Sequence, residues 1–157
     1  MNLDYFQLID RIVDLNLDEK KITVEAQVPA VHSIFEGHFP GQPLMPGVLL
    51  IESMAQTAGW LVIALNRFER MPFLAAVKEA KLRTFVLPGT ALRIAAKLLH
   101  DGSGYAITKA TITADGKPIC DAEITFRVML FPEKSMRHAM EETAARIGFP
   151  MQALADG

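Results

Sequence analysis

The stretch from residue 38 to residue 56, HFPGQPLMPGVLLIESMAQ, brings an imidazole and a carboxylate to the most apolar segment of the chain. His38 precedes Phe39 and Pro40, and a proline restrains the residue before it to extended geometry. An imidazole held in a rigid segment suits a general base. A loop histidine that only bonds to neighbouring backbone is the alternative that the spacing leaves open.

Glu52 lies within the apolar run, next to Leu50 and Ala55, with no lysine or arginine within one helical turn. Burying a carboxylate without a partner is costly, and burial favours the protonated form, which can donate a proton. Gln56 follows four residues later on the same helix face, where its amide can orient the carboxyl group. A Glu52 that faces water on a partly exposed helix is the alternative.

Gly47 falls in the first turn of the same run, where its backbone N–H lies at the positive end of the helix dipole. This N–H suits a developing oxyanion, although close packing would also require glycine. A base, an acid and an oxyanion donor together fit removal of a proton next to a carbonyl with loss of a β-hydroxyl. A metal site formed by His32, Glu36 and His38 is the rival, but this loop lacks the regular ligand spacing of known sites.

The elements that must position these groups follow from hydrophobic periodicity. The run from Pro46 to about Leu65 is apolar on nearly all sides and has proline in its first turn, which predicts a buried helix. The segments RIVDLN and KKITVEAQVP predict a hairpin, and the pair Asp115-Gly116 predicts another. Strands are predicted at FLAAVKEAKL, ALRIAAKLL, YAITKATITA and PICDAEITFRV, with apolar and polar residues alternating in the second and the last. The sequence therefore predicts an α+β fold, with a curved antiparallel sheet wrapped around a long central helix.

The two ends of the chain predict further helices. Asp4 is a plausible N-cap for a short helix from about Tyr5 to Arg11. After Pro132, the stretch EKSMRHAMEETAARIG predicts an amphipathic helix that stops at Gly148. Its predicted apolar stripe comprises Met136, Ala139, Met140, Thr143 and Ile147.

The 157 residues fit a domain at 1–132 and a C-terminal helical extension at 133–157. A net charge of −2 excludes a global basic field for nucleic acid or anionic lipid. The single cysteine, Cys120, excludes an intramolecular disulfide and fits a buried thiol in a reducing cytosol. No signal peptide is recognisable, and the carboxylate of Glu52 opposes membrane insertion by about 3 kcal/mol. We therefore expect a cytoplasmic protein without a membrane span.

The stretch GHFPGQPLMPGVLLIESMAQ resembles the active-site segment of the FabZ-type β-hydroxyacyl-acyl carrier protein dehydratases of the FabA/FabZ family. LIDRIVDLN, FLAAVKEAKLRTFVLPG and DGKPICDAEITF also fall in the family order, so the resemblance spans about residues 5–131. It implies a hotdog fold and a homodimer whose active site lies at the subunit interface, with the histidine from one chain and the carboxylate from the other. For the FabZ type it also implies, commonly, a hexamer of three dimers.

By position, the resemblance assigns the base to His38 and the acid to Glu52. It implies that the N–H of Gly47 binds the thioester carbonyl and that Gln56 neighbours the acid. Phe39 belongs to an apolar face, with Leu44, Met45, Leu49 and Met54, that fits either an acyl-binding surface or the core. The implied reaction is dehydration of (3R)-hydroxyacyl-[acyl-carrier-protein] to trans-2-enoyl-[acyl-carrier-protein], in fatty acid or lipid A acyl-chain biosynthesis, with no cofactor and no metal. The FabA type, which also isomerises the double bond, has aspartate at the acid position, so Glu52 indicates dehydration alone.

Two other functions stay open: a hotdog acyl thioesterase and a non-catalytic subunit that binds acyl carrier protein. The histidine of GHFPG disfavours the first, and the presence of both His38 and Glu52 disfavours the second. An acidic carrier protein would need a basic docking patch. Candidates for that patch are Lys78, Lys81, Arg83, Arg67 and Arg70. The predicted C-terminal helix extends past the point where members of this family usually end. It fits either specialisation for unusual acyl chains or added packing at the dimer interface.

Overall fold

The computed structural model describes residues 1–155, in which a six-stranded antiparallel sheet wraps around a long helix. The sheet has the order β1-β2-β4-β5-β6-β3. The strands are β1 (Arg11–Asn16), β2 (Lys21–Gln27), β3 (Arg70–Leu82), β4 (Ala91–Gly102), β5 (Tyr105–Ala114) and β6 (Lys117–Leu130). The helices are α1 (Ile34–Gly37), α2 (Gly47–Leu65) and α3 (Lys134–Arg146), with 3-10 turns at Leu3–Tyr5 and Met151–Leu154. The predicted α+β arrangement is confirmed.

Helix α2 packs against the concave face of the sheet, as its apolar sequence predicts. It begins directly after Pro46, whose carbonyl accepts hydrogen bonds from the N–H groups of Leu49 and Leu50. Met54 and Leu61 are fully buried. The helix is long and apolar enough to cross a membrane, but 67% of its most apolar window is buried inside the fold. It is therefore positioned as a core helix.

The strand predictions from two-residue alternation are confirmed. In β4, Leu92 and Ile94 are buried whereas Arg93 between them is exposed. The turn between β5 and β6 consists of Asp115 and Gly116, with φ of 49° and 74°. Positive φ at both positions is the geometry of a type I′ hairpin, which matches the twist of the flanking strands.

The prediction of a helix over residues 5–11 is wrong. A single 3-10 turn at Leu3–Tyr5 ends at Phe6, whose φ of 54° is left-handed. The chain then crosses the end of the sheet without regular structure, with Leu8 fully buried and its N–H donated to Gln56. The apolar spacing fits a helix and an irregular crossing equally well, and hydrogen bonds to distant residues select the second.

Helix α3 confirms the predicted C-terminal helix, including its stop at Gly148, which has a φ of 73°. Of the predicted apolar stripe, Ile147 is fully buried, but Ala139 is exposed and Ala144 is buried instead. The stripe is therefore shifted toward the last turn of the helix, because that turn is the part that reaches the core.

The residues directly after α3 anchor this helix to the sheet and the core. The carbonyl of Ile147 accepts a hydrogen bond of 2.8 Å from the N–H of Ile12. The ring of Phe149 lies 5.6 Å from that of Trp60 and 5.5 Å from that of Phe68, between centroids. These contacts hold α3 rigidly against the body of the fold. Residues 156 and 157 of the predicted extension lie outside the described residues.

Cys120 is buried in β6, 2% exposed, with its sulfur 4.0 Å from that of Met54. Burial raises the pKa of the Cys120 thiol to about 12. A thiol is nucleophilic as the thiolate, so this side chain is inert at neutral pH. The prediction of a buried structural thiol is confirmed.

Candidate active site

His38 lies at the C-terminal end of α1, in a loop closed by its own backbone. Its N–H donates to the carbonyl of Ile34 at 3.0 Å, and its carbonyl accepts from the N–H of Leu44 at 2.9 Å. The ring Nδ1 lies 2.9 Å from the carbonyl oxygen of Leu44. Because a carbonyl only accepts, we assign the proton to Nδ1 and the lone pair to Nε2. Sequence reasoning missed the role of Leu44, because a backbone carbonyl leaves no sequence signal.

Phe39 lies directly against this imidazole. The two rings stack with centroids 3.9 Å apart, and 51% of Phe39 is exposed. Its N–H and carbonyl exchange hydrogen bonds with Gln42, which tightens the loop. The stack therefore fixes the plane of the His38 ring and presents an apolar surface beside it.

Gly47 is the first residue of α2 and lines the same pocket as His38. The first N–H groups of a helix have no intrahelical acceptor, so the Gly47 N–H is available to a ligand. A side chain at this position would overlap that of Leu82. Glycine therefore leaves the Leu82 side chain in place and the approach to the N–H unobstructed. We name His38, Phe39 and Gly47 the base half-site.

Glu52 and Gln56 lie together on another side of α2, and we name them the acid half-site. Gln56 Nε2 donates to Glu52 Oε1 at 3.2 Å. Glu52 is half-buried at the wall of a pocket, not fully buried as the sequence suggests. The sheet covers much of the surface of α2, but the helix face that carries Glu52 lines that pocket.

Gln56 also ties the N-terminal segment to α2, a role that sequence reasoning missed. Its Oε1 accepts from the N–H of Leu8 at 3.0 Å, and its Nε2 donates to the carbonyl of Phe6 at 2.9 Å. The partners are some fifty residues away in sequence, so no local pattern signals the contact. The same amide therefore contacts Glu52 and fixes the N-terminal segment, part of which lines the same pocket.

Replacing Gln56 by leucine is expected to lower the free energy of unfolding by about 1–3 kcal/mol, because it leaves the Leu8 N–H without its partner. Urea unfolding monitored by circular dichroism measures this loss. Gln152→Leu, at an exposed position, is the matched control. Equal stability of the two variants would contradict the structural role of the Gln56 amide.

The two half-sites do not face each other within one chain. His38 and Gly47 line a pocket with Phe85, whereas Glu52 and Gln56 line a different one with Trp60. The two pockets share no lining residue. A single protomer thus presents His38 and Gly47 in one pocket and Glu52 and Gln56 in another.

The rival metal site is not assembled. His32 Nε2 lies 3.0 Å from Asp4 Oδ1, and its Nδ1 accepts from the N–H of Ile34 at 3.1 Å. Both ring nitrogens are thus engaged away from His38. Over residues 1–155, no group of three or more histidine, cysteine, aspartate or glutamate side chains is arranged to hold a metal ion.

The profile of the FabA-like domain matches residues 1–123. The chain belongs to the FabA-like family. The match stops before α3, so the C-terminal helix of this FabA-like chain lies beyond the part that the family profile describes.

Among curated relatives, the chain is similar to proteins named 3-hydroxyacyl-[acyl-carrier-protein] dehydratase FabZ. That of Ligilactobacillus salivarius is 38% identical over 122 residues, covering 77% of this chain and 86% of the relative. That of Clostridium acetobutylicum is 35% identical over 123 residues, covering 78% and 86%. Within the FabA-like family, the chain is therefore of the FabZ type.

Solved structures with the same fold include a hypothetical thioesterase of Streptococcus pneumoniae with coenzyme A, at 18% identity and a TM-score of 0.62, covering 78% of this chain and 88% of that one. A conserved protein of Pseudomonas aeruginosa has 21% identity and a TM-score of 0.62, covering 76% and 87%. At these identities the likeness shows the fold alone. The predicted hotdog fold is confirmed.

Proposed function

We propose that this FabZ-type chain dehydrates (3R)-hydroxyacyl-[acyl-carrier-protein] to trans-2-enoyl-[acyl-carrier-protein] and water in fatty acid or lipid A acyl-chain biosynthesis. The observation that carries the proposal is the hydrogen bond from His38 Nδ1 to the carbonyl of Leu44, at 2.9 Å. It leaves Nε2 as a proton acceptor in the pocket that the Gly47 N–H also lines.

The base half-site performs the first part of the reaction. His38 Nε2 removes a proton from C2 of the acyl thioester, and negative charge develops on the thioester oxygen. The Gly47 N–H, at the positive end of α2, donates a hydrogen bond to this oxygen. A positioned base typically contributes about 10²- to 10⁴-fold, and an oxyanion donor about 10²- to 10³-fold.

The acid half-site completes the reaction. Glu52 donates a proton to the C3 hydroxyl, the C3–O bond breaks and water leaves. The electron pair released from the C2–H bond forms the C2–C3 double bond. Gln56 Nε2 donates to one carboxyl oxygen of Glu52 at 3.2 Å, which leaves the other oxygen to carry the proton. Transfer of the proton gained by His38 back to Glu52 restores the starting state.

We propose that each complete site joins the base half-site of one protomer to the acid half-site of its partner. Strand β3 supports this arrangement, because it is an edge of the sheet and its thirteen residues leave a long row of unpaired backbone groups. Leu74 and Leu82 of this strand are about half exposed, and Phe85 beyond it is 80% exposed. A two-fold homodimer would cover this surface and complete two sites. A hexamer would arise from three such dimers.

The partner that delivers the substrate in this proposal is an acidic acyl carrier protein in the cytoplasm. Of the candidate docking residues, Arg83 is paired with Asp121, at 2.7 Å, and its hydrogen bonds hold the pKa of that carboxyl below its usual value. Lys78 and Lys81 are exposed on β3 in the single protomer. Because β3 is also the proposed dimer edge, the carrier protein would contact these two lysines beside that interface.

The assay that tests the function combines the purified chain with 3-hydroxyacyl-[acyl-carrier-protein] and follows the absorbance of the enoyl thioester. We expect the absorbance to rise without release of free thiol. Release of thiol without enoyl product would indicate the thioesterase. Stable binding of the acyl carrier protein without either product would indicate the non-catalytic subunit.

A further inference from the structure

The acid half-site opens into an apolar pocket of about 340 Å³. Its floor is one stripe of α2, formed by Glu52, Gln56, Gly59 and Ile63. These residues recur every three or four positions and therefore share a helix face. From Glu52 to Ile63 the stripe runs about 16 Å, at about 1.5 Å per residue. The volume lies within the range of small-molecule sites.

Helix α3 forms a wall of this pocket. Met140, Thr143 and Arg146, at three-residue intervals on one face of α3, line it. The family match ends at residue 123, so this wall comes from a segment that the family profile does not include. Ile147 is fully buried and Phe149 is 6% exposed, so the helix is fixed and not a mobile lid.

The position of Glu52 identifies what enters the pocket. If its carboxyl group protonates the C3 hydroxyl, the carbons beyond C3 start beside Glu52. The apolar stripe beyond Gln56 then receives the hydrocarbon tail. An extended chain advances about 1.2 Å per bond, so the stripe accommodates roughly a dozen methylene groups.

Met140 is the apolar side chain among the three that α3 contributes. Arg146 Nη2 donates to Thr143 Oγ1 at 2.8 Å, which holds those two polar groups together at the wall. Met140 is half-buried and packs against the core. Its bulk therefore limits the space that a hydrocarbon tail can fill.

We propose that α3, through Met140, sets the upper acyl-chain length of this enzyme, an inference that rests on the dehydratase function proposed above. In an apolar pocket, one methylene more or less changes discrimination by about 10- to 200-fold. A change in the volume at residue 140 therefore shifts the preference between long and short substrates, and not the activity on all of them equally.

The test compares kcat/KM for 3-hydroxypalmitoyl- and 3-hydroxybutyryl-[acyl-carrier-protein]. Met140→Ala is expected to raise the long-to-short ratio, and Met140→Phe to lower it, each by about tenfold. Met136→Ala and Met136→Phe are the matched controls, because Met136 is half-buried on the same helix but does not line the pocket. Unchanged ratios in the Met140 variants, or equal shifts in the Met136 variants, would overturn the assignment.

A binding measurement separates this inference from the reaction. Trp60 is the single tryptophan of the chain and lines the pocket, so its emission reports occupancy. We expect palmitoyl-coenzyme A, which has no hydroxyl to lose, to change the emission and to bind more weakly to Met140→Phe than to Met136→Phe. If the variants differ in affinity in this way but no enoyl product forms from any substrate, the proposed function is refuted and the acyl-binding pocket stands. Equal affinities of the two variants would refute the role of α3.

Discussion

Replacing His38 by alanine is expected to lower kcat for dehydration by about 10²- to 10⁴-fold, because it removes the base that takes the C2 proton. The imidazole is half-buried and bonded through its side chain to the carbonyl of Leu44. The loop keeps its backbone hydrogen bonds to Ile34 and Leu44 without the ring. The loss should therefore appear in turnover with little change in the unfolding midpoint.

The enoyl absorbance assay measures the effect of His38→Ala. His138→Ala is the matched control, because His138 lies on α3 with 73% of its side chain exposed. We expect the control to retain wild-type turnover. A His38→Ala protein that is folded and turns over at the wild-type rate would exclude this histidine as the base.

Replacing Glu52 by glutamine is expected to lower kcat by a similar factor, about 10²- to 10⁴-fold. The amide has nearly the same shape as the carboxyl group, and its oxygen can still accept the hydrogen bond from Gln56. The variant loses the proton that must reach the C3 hydroxyl while it keeps the packing of α2. Activity should fall far more than stability.

Glu36→Gln, at an exposed position of α1, is the matched control for the loss of a carboxylate. Glu52→Asp supplies a second comparison, because it keeps a proton donor but withdraws it by one methylene. We expect its activity to lie between those of the wild type and Glu52→Gln. If Glu52→Gln and Glu36→Gln turn over equally fast, the leaving hydroxyl must receive its proton from another group.

The sequence predicts the parts of the fold whose signals are local. Two-residue alternation in β4 and the apolar residues on nearly all sides of α2 each specify one element, and the structure confirms both. The N-terminal segment could not be predicted in this way. Its hydrogen bonds reach Gln56 on α2, and only the tertiary fold brings these groups together.

For the candidate site, residue types and spacing identify His38 and Glu52, but their division into two half-sites is implied only by the family resemblance. Glu52 follows Gly47 by five residues, and at about 100° per residue it lies about 140° around α2 from Gly47. The helix itself therefore turns the acid away from the base. The contribution of α3 to the pocket beside Glu52 has no local signal either.

The most direct test of a site shared between two chains is complementation between inactive variants. His38→Ala and Glu52→Gln chains are expressed together in equal amounts, and turnover of the purified dimers is compared with that of each variant alone. In a mixed dimer, the intact His38 of one chain meets the intact Glu52 of the other and forms one complete site. Random pairing then predicts about a quarter of wild-type activity. If mixed dimers form but turn over no faster than either variant alone, the base and the acid do not come from different chains.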